Sequence, residues 1–303
     1  MIMIQVAGGL GNQMQQYALY RKFLSLGKEA KLDISWFTES DRQDRVYAKR
    51  KLELDYFEGL SYETATEAEK KALTGEGSAP FRLAAKVKGK LFPSSRKVFH
   101  ETDMYHPEIF GFTDRYLCGY FACEKYYADI MGKLREEIRF PQSGNPENAG
   151  LAERMRREES VSIHIRRGDY LAPENAAMFG NICTEEYYRG AVSEIKGRCR
   201  SPHFYVFSDD TEYAGGKYAG EEYTIVDVNK GEDSFYDMWL MSRCRHNICA
   251  NSTFSFWGAR LNGNPGKIMI RPWIHKNTQT YDAVRMHDLW QGWILVDNRG
   301  QVV

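Results

Sequence analysis

Short apolar runs of strand length alternate with longer stretches of helical periodicity along this chain of 303 residues. The runs that predict strands span 2–6, 30–34, 117–122, 161–165, 204–207, 223–228 and 247–250. The stretches that predict helices span 14–24, 64–73, 124–140, 151–159 and 233–244, with further helix starts at Thr184 and Thr253. Strands that alternate with helices are typical of a parallel, doubly wound sheet, so the pattern predicts an α/β fold.

Three strands in the second half of the chain end in polar or charged residues. These ends carry Arg166-Arg167-Gly168-Asp169, Ser208-Asp209-Asp210 and Asn251-Ser252-Thr253. In open α/β sheets ligands bind beyond the carboxyl ends of the strands, and a pair of guanidinium groups suits a phosphate or diphosphate. Together the three ends predict a nucleotide-diphosphate site, although a surface turn with a solvated ion pair is the alternative for any one of them.

The residues around Arg166 carry further expectations. Gly168 is predicted to form a tight turn with positive φ, and Asp169 to hold the loop as a hydrogen-bond acceptor. His164 is either a satisfied core histidine or a residue that orients a ligand. Asp209 and Asp210 could coordinate a divalent ion, but the arginines could neutralise a diphosphate without one. We therefore expect no metal here.

The start of the chain has a strand, a glycine turn and a helix, an arrangement that favours an anion above the turn. Asn12 is the predicted N-cap of the helix. A nicotinamide-binding unit is disfavoured because bulky Met14 occupies the third small position, and a P-loop is excluded because no Gly-Lys-Ser/Thr follows. The alternative is a tight turn that binds nothing.

A chain of this length is expected to form two domains. The segment 142–150, rich in Gly, Pro and Asn, is the best candidate boundary. The predicted domains are therefore 1–150 and 151–303.

The overall charge is balanced, with 41 basic and 41 acidic residues, which argues against a general nucleic-acid-binding protein. No run of 18 apolar residues predicts a membrane span, and residues 2–6 predict a strand rather than a signal peptide, so a cytoplasmic location is expected. The basic segment 82–97 contains apolar residues at helical spacing. It predicts either a solvated basic loop or a peripheral contact with an anionic membrane, at the inner membrane face.

Six cysteines are too few to indicate a disulfide framework in a chain this long. Cys118 with Cys123, and Cys244 with Cys249 near His246, could suggest zinc. Their spacing is wider than that of a zinc ribbon and they lie in apolar stretches, so buried free thiols are the favoured interpretation.

Five motifs, in order from end to end, make the chain resemble the GDP-fucose-dependent α-1,2-fucosyltransferases of glycosyltransferase family 11. The motifs are 8–14 (GGLGNQM), 119–126 (GYFACEKY), 164–170 (HIRRGDY), 207–210 (FSDD) and 251–259 (NSTFSFWGA). The chain departs from the family pattern at Gln15, where an aromatic residue is expected, and at Ala122-Cys123, where Gln-Ser is expected. Both departures concern the first half, which the resemblance assigns to the acceptor.

The resemblance implies a GT-B fold, with two Rossmann-like domains facing a cleft. The second domain would bind GDP-fucose and the first a galactose-terminated glycan. The implied reaction is inverting transfer of L-fucose from GDP-β-L-fucose to the 2-hydroxyl of galactose, with no required metal and no separate cofactor.

The resemblance also implies residue roles. Arg166 would stabilise charge on the β-phosphate, and Arg167 or Asp169 would hold the loop. Glu174 would be the general base, because the similar α-1,6-fucosyltransferases have a glutamate at that spacing; an ordinary loop carboxylate is the alternative. The donor-binding residues would be Gly9, Gly11, Asn12, His164, Arg166, Arg167, Ser252, Thr253 and Phe254, with Asp209 and Asp227 on the guanine or ribose.

Three alternatives stay open beside this function. They are a nicotinamide oxidoreductase, a non-catalytic protein that binds nucleotide sugars or glycans, and a transferase for another GDP-sugar. The natural acceptor and the oligomeric state are not determined by the sequence.

Overall fold

The chain folds as two α/β units, Met1–Arg139 and Phe140–Val303. The computed structural model describes residues 1–38, 50–75 and 97–303. The basic segment 82–97 lies outside the described residues, apart from Lys97. No helix among the described residues is both long enough and apolar enough to span a membrane.

The first unit is built on a four-stranded parallel sheet with the strand order β2-β1-β4-β3. Its elements are β1 (Ile2–Gln5), α1 (Leu10–Ser25), β2 (Ala30–Asp33), α2 (Glu67–Thr74), β3 (Val98–His100), β4 (Arg115–Cys118) and α3 (Met131–Glu137). Short 3-10 turns lie at Ser35–Phe37, Leu54–Tyr56, Pro107–Gly111, Glu124–Tyr126 and Ala128–Ile130. Because β1 and β4 are neighbours, the segments that follow these two strands emerge side by side.

The second unit is built on a six-stranded parallel sheet with the strand order β10-β9-β8-β5-β6-β7. Its first elements are α4 (Pro146–Arg157), β5 (Glu159–Ile165), α5 (Pro173–Phe179), α6 (Glu185–Arg198), β6 (Pro202–Ser208), α7 (Thr211–Lys217) and β7 (Tyr223–Val226). The remaining elements are α8 (Phe235–Arg243), β8 (His246–Ile248), α9 (Thr253–Leu261), β9 (Met269–Pro272), α10 (Ala283–Leu289) and β10 (Trp293–Val296). Further 3-10 turns lie at Gly168–Leu171 and Gly231–Ser234.

The order of the second sheet defines where a ligand would bind. The chain winds outward in one direction from β5 through β6 to β7, and in the other from β8 through β9 to β10. The strand order therefore reverses between β5 and β8, and ligands of open α/β sheets bind at such a switch point, beyond the carboxyl ends of the two strands.

Strand β5 is buried on both faces. Val161, Ile163 and Ile165 pack with α6 in one apolar cluster, whereas Tyr205 and Phe207 of β6 belong to a second cluster with α4 and α8. Helices cover both faces of a parallel sheet, so even the polar positions of its central strand are buried. Ser162 is one of them, and its hydroxyl accepts a hydrogen bond of 2.7 Å from the Asn247 side chain.

The predicted α/β class of GT-B type, with two parallel-sheet domains, is confirmed. The predicted helix over 124–140 is wrong in part, because the chain forms two 3-10 turns before α3 begins at Met131. The break falls at Tyr127, whose φ of −146° lies outside the helical region and whose ring is fully buried. The strands β3, β9 and β10 and the helices α5, α7 and α10 were not predicted.

The units meet in sequence at Arg139 and Phe140, earlier than the predicted boundary at residue 150. The segment 142–150 contains the start of α4 rather than a linker. Asn145 caps this helix by accepting a hydrogen bond of 3.0 Å from the Glu147 amide, and Pro146 occupies the first turn, where its missing N–H costs nothing. Turn-forming residue types therefore begin a helix here.

Two glycines of α6 provide a matched test of packing. A Cβ on Gly190 would lie 2.1 Å from the carbonyl oxygen of Gly300, whereas a Cβ on Gly197 would meet nothing within 4 Å. Gly190→Ala should lower the free energy of unfolding by about 1–3 kcal/mol through overpacking. Gly197→Ala should raise it by up to about 1 kcal/mol through helix propensity. Urea unfolding measures both, and a Gly190→Ala protein as stable as the wild type would contradict the close approach.

Candidate active site

Arg166 lies immediately beyond the carboxyl end of β5, between two carboxylates. Its Nη2 is 2.6 Å from Asp169 Oδ1 and its Nη1 is 2.9 Å from Asp209 Oδ2. The Arg166 side chain is 28% exposed. A guanidinium held in this way has a fixed orientation and keeps further N–H donors for an anion.

Arg167 makes different contacts and braces the loop. Its backbone N–H donates to Asp209 Oδ1 at 2.9 Å, and its Nε donates to Asp210 Oδ2 at 2.9 Å. The guanidinium lies 3.7 Å from the centre of the Tyr213 ring, within the range of a cation–π interaction. Arg166 and Arg167 are adjacent in sequence, but their side chains therefore contact different groups.

Gly168 is needed for a reason that differs from the prediction. Its φ is not positive, so the expected left-handed turn is wrong. A Cβ at this position would lie 2.6 Å from Asp209 Oδ2, the oxygen that pairs with Arg166. Close approach of a neighbouring side chain, rather than backbone conformation, excludes larger residues here.

The arginine loop is joined to the residues that follow β8. The Tyr170 hydroxyl donates to the carbonyl oxygen of Asn251 at 3.0 Å. The Asn251 side chain donates to the carbonyl oxygens of Phe179 at 3.1 Å and His275 at 3.2 Å. These bonds fix the segments beyond β5 and β8 relative to each other at the switch point.

Helix α9 begins at this point with open backbone donors. Ser252 is its N-cap residue, yet its side chain makes no capping hydrogen bond, and the first turn contains no acidic residue. The helix therefore begins with N–H groups and a positive dipole end available to an anion. Thr253 and Phe254 form the start of the first turn, so the structure brings the predicted residues Arg166, Ser252, Thr253 and Phe254 to one edge of the sheet.

His164 lies beside these residues in the interior. Its ring is 5.8 Å from the Phe254 ring, centre to centre, and only 6% of the residue is exposed. Burial, together with the positive charge of Arg166, lowers the pKa of His164 to about 3. His164 is therefore a neutral imidazole near pH 7, and its Nδ1 has no hydrogen-bond partner within the described part of the chain.

The two aspartates predicted to contact the nucleoside lie in different places. Both oxygens of Asp209 face the arginine loop. Asp227 follows β7, the edge strand beyond β6, and pairs with Lys230 at 3.2 Å. Their contacts with guanine or ribose stay predictions.

Close to Asp227 is a buried carboxyl that sequence analysis missed. Burial raises the pKa of Asp237 to about 7, although a hydrogen bond of 2.8 Å from Asn229 opposes the shift and the charge of Asp227 adds to it. Asn229 in turn exchanges two side-chain hydrogen bonds with Asn148. Asn148 lies 81 residues before Asn229, and the three residues share no motif, so no signal in the sequence identified them.

The glycine turn of the first unit differs from the prediction in its cap. Gly9 is the N-cap of α1, and Asn12 lies inside the first turn, so Asn12 as the N-cap is wrong. Gly8 has a φ of +82°, and a Cβ there would lie 2.7 Å from Asn12 Nδ2. Gly11 is buried in the helix. Contacts of Gly9, Gly11 and Asn12 with a diphosphate stay predictions.

The general base also stays a prediction. Glu174 is the second residue of α5, and its side chain lies outside the described part of the structure. The helix is attached to the arginine loop, because the Asn175 side chain donates to the carbonyl oxygen of Asp169 at 2.9 Å.

The residues considered for metal binding have other partners. All four carboxylate oxygens of Asp209 and Asp210 contact arginines or backbone N–H groups. Glu159, Cys199 and His246 cluster at the opposite, amino-terminal edge of the sheet. His246 Nδ1 accepts a hydrogen bond of 3.0 Å from the Ile268 amide, which puts the proton of the neutral ring on Nε2 and disfavours a metal there. None of the six cysteines, all of which lie in the described ranges, forms a disulfide bond.

The comparisons with known proteins identify the class and then the family. The model of glycosyl transferase family 11 matches residues 1–295. The chain is therefore a glycosyltransferase, and it belongs to glycosyltransferase family 11.

Relatives in Escherichia coli match nearly the whole chain. An alpha-1,2-colitosyltransferase is 30% identical, over 89% of this chain and 91% of the relative. The O-antigen biosynthesis glycosyltransferase WbnK is 30% identical, over 91% of this chain and 95% of the relative. A galactoside alpha-(1,2)-fucosyltransferase 1 of Saimiri boliviensis boliviensis is 25% identical, over 48% of this chain and 43% of the relative.

Solved structures are similar at lower identity. A mutant of Arabidopsis thaliana FUT1 in complex with GDP has a TM-score of 0.47 and 14% identity, covering 89% of this chain and 70% of that one. The fucosyltransferase NodZ from Bradyrhizobium has a TM-score of 0.44 and 12% identity, covering 85% of this chain and 91% of that one.

The close approach at Gly168 gives a test of the arginine loop. Gly168→Ala should displace Asp209 Oδ2 and so misalign Arg166. If GDP is the ligand, as the resemblance implies, this should weaken GDP binding about tenfold, as expected for one charge-assisted hydrogen bond. Isothermal titration calorimetry with GDP measures this effect. Gly263→Ala, where a Cβ would meet nothing within 4 Å, is the control and should bind as the wild type does. Equal affinity of the two variants would contradict the assignment.

Proposed function

We propose that this family 11 enzyme transfers L-fucose from GDP-β-L-fucose to the 2-hydroxyl of a terminal galactose, with inversion at the sugar carbon. The observation that carries the proposal is Arg166, held by Asp169 and Asp209 at the switch point. It lies at the same sheet edge as the uncapped start of α9. A guanidinium and a helix N-terminus together suit the diphosphate of a nucleotide sugar.

The proposed step is a single displacement at the anomeric carbon of fucose. The galactose 2-hydroxyl oxygen attacks from the face opposite the diphosphate, and the bond between the anomeric carbon and the phosphate oxygen breaks. The electron pair of that bond leaves with GDP, while the hydroxyl proton passes to a base, for which we propose Glu174.

Catalysis would come mainly from stabilising the leaving group. Negative charge grows on the β-phosphate as the bond breaks, and a fixed cation at that place costs no reorganisation. Arg166 would supply that cation, and the backbone N–H groups of α9 with the hydroxyls of Ser252 and Thr253 would supply neutral donors. We propose that these groups suffice without a metal ion or another cofactor.

Two donor sugars should be compared to test the proposed specificity for fucose, because one relative is named an alpha-1,2-colitosyltransferase. Colitose lacks the 3-hydroxyl of fucose. A pocket that hydrogen-bonds this hydroxyl would reject the deoxy sugar strongly, whereas a pocket lined by apolar groups would accept both. GDP-fucose and GDP-colitose should therefore be compared at equal concentrations.

The decisive experiment follows GDP release from GDP-fucose with lactose, with and without EDTA. Release that depends on the acceptor and resists EDTA would support a metal-independent transferase, and linkage analysis of the product tests the 1,2 bond. Tight GDP binding without release across a panel of galactosides would favour a non-catalytic nucleotide-sugar-binding protein. The cytoplasmic location and a membrane contact of the segment 82–97 stay predictions.

Arg166→Ala should lower kcat by about a hundredfold or more, as expected when a charged donor to the transition state is lost. Arg166→Lys keeps the positive charge but cannot make the bidentate hydrogen bonds of a guanidinium, so it should retain only part of the wild-type rate. Steady-state kinetics measure both variants. Arg189→Ala is the control, because this arginine is 76% exposed on α6 and should be dispensable. Near-normal turnover of Arg166→Ala would refute the assignment.

A further inference from the structure

A short turn in the first unit presents an exposed aromatic ring on a tightly held backbone. The turn, residues 119–121, follows β4, whose neighbour in the sheet is β1. We call it the Tyr120 turn. Tyr120 is 52% exposed, whereas Phe121 beside it is fully buried.

The Tyr120 turn is joined to the glycine turn after β1 through one buried glutamine. Gln16 Oε1 accepts a hydrogen bond of 3.0 Å from the Ala7 amide, and Gln16 Nε2 donates to the carbonyl oxygen of Gly119 at 2.8 Å. A fully buried amide that satisfies both groups fixes the two segments relative to each other. The Tyr120 turn therefore lies beside the glycine turn, at the carboxyl edge of the first sheet, where open α/β sheets bind ligands.

The Glu101 side chain holds the backbone of the Tyr120 turn through hydrogen bonds. Its Oε2 accepts hydrogen bonds of 2.8 Å from the amides of both Tyr120 and Phe121, and its Oε1 accepts one of 3.4 Å from the Tyr126 hydroxyl. Gly119 permits this approach, because a Cβ there would lie 2.5 Å from Glu101 Cβ. One carboxylate thus organises the whole turn.

The backbone of the turn is strained and would not adopt this shape alone. Phe121 has a φ of +50°, a conformation that costs a bulky residue free energy and persists only where the surroundings impose it. The paired hydrogen bonds to Glu101 and the buried Phe121 ring impose it here. The result is that Tyr120 is directed outward from a rigid base.

We propose that Glu101 is a positioning residue that holds the Tyr120 turn so that the Tyr120 ring contacts the acceptor sugar. This proposal rests on the proposed function, since it assigns a role in the same transfer reaction. An exposed aromatic ring on a rigid backbone offers an apolar face with little entropy to lose, which suits the C–H face of a galactose ring.

The ionisation of Glu101 adds a readout that a purely structural role would not produce. Burial raises the pKa of Glu101 to about 7, against the opposing effects of the Phe121 and Tyr120 amides, the charge of His106 and the Tyr126 hydroxyl. His106 is in turn paired with Glu108 at 2.8 Å. Because burial outweighs these hydrogen bonds, the folded turn favours the neutral carboxyl, so ionisation of Glu101 as the pH rises through about 7 should loosen the turn.

The test compares acceptor and donor kinetics in matched variants. Tyr120→Ala should raise the acceptor KM about tenfold, as for loss of an aromatic contact, while the donor KM and donor hydrolysis without acceptor stay unchanged. Tyr120→Phe keeps the ring and should have a smaller effect. Leu26→Ala removes another exposed apolar side chain of the first unit, 45% exposed, and serves as the control.

Glu101→Gln tests the charge separately from the shape. The amide oxygen can still accept both backbone bonds, so the variant should fold, and the pH dependence of the acceptor kcat/KM between pH 6 and 8 should flatten. If the wild type transfers fucose and Tyr120→Ala leaves the acceptor KM unchanged, this proposal is overturned and the proposed function is not. A wild type that transfers nothing to any galactoside would overturn the proposed function and this proposal with it.

Discussion

The ion pairs that hold Arg166 are the interaction on which the candidate site depends. The guanidinium lies at the end of the central strand between Asp169 and Asp209, so its position is set by the loop itself and by the neighbouring strand β6. Because the side chain is partly exposed, these pairs are screened by solvent and contribute more to orientation than to stability. An incoming diphosphate can share the guanidinium without displacing both carboxylates, since five N–H donors are available.

The position of Arg166 also involves two neighbouring residues of its loop, Gly168 and Tyr170. Asp209 contacts both the Arg166 side chain and the Arg167 amide, and a Cβ at position 168 would lie 2.6 Å from its Oδ2 and force it to shift. Tyr170 then attaches the loop to the residues before α9. Asp209, Gly168 and Tyr170 thus act together to place the Arg166 guanidinium at the sheet edge where α9 begins.

Each unit has a buried amide side chain that bonds to backbone groups beyond the carboxyl ends of its strands. In the first unit Gln16 bonds to the backbone of the segments after β1 and β4. In the second unit Asn251 bonds to backbone carbonyls of Phe179 and His275. A side-chain amide is suited to this place because its nitrogen donates to backbone carbonyls that no strand satisfies, while its oxygen accepts from the Ala7 amide in the first unit and from the Cys183 thiol in the second. Gln15 differs from these two amides, because it is fully buried and has no hydrogen-bond partner within the described residues. It occupies the position where the resemblance led us to expect an aromatic residue.

The sequence by itself determined the α/β class, the strand that ends at Arg166 and the family, because apolar periodicity and contiguous motifs are local properties. It also predicted that Arg166, Ser252 and Thr253 follow strand ends, and the structure brings them to one edge of the sheet, while their roles stay predictions. Only the tertiary structure decided that Gly168 serves a close approach, that Gly9 rather than Asn12 caps α1, and that Glu101 holds the Tyr120 turn. The features at Gly168 and Glu101 depend on side chains that meet across strands or loops distant in the chain, and no local pattern of residues encodes such a meeting. The cap of α1 depends on where the chain enters the helix, which residue type alone did not settle.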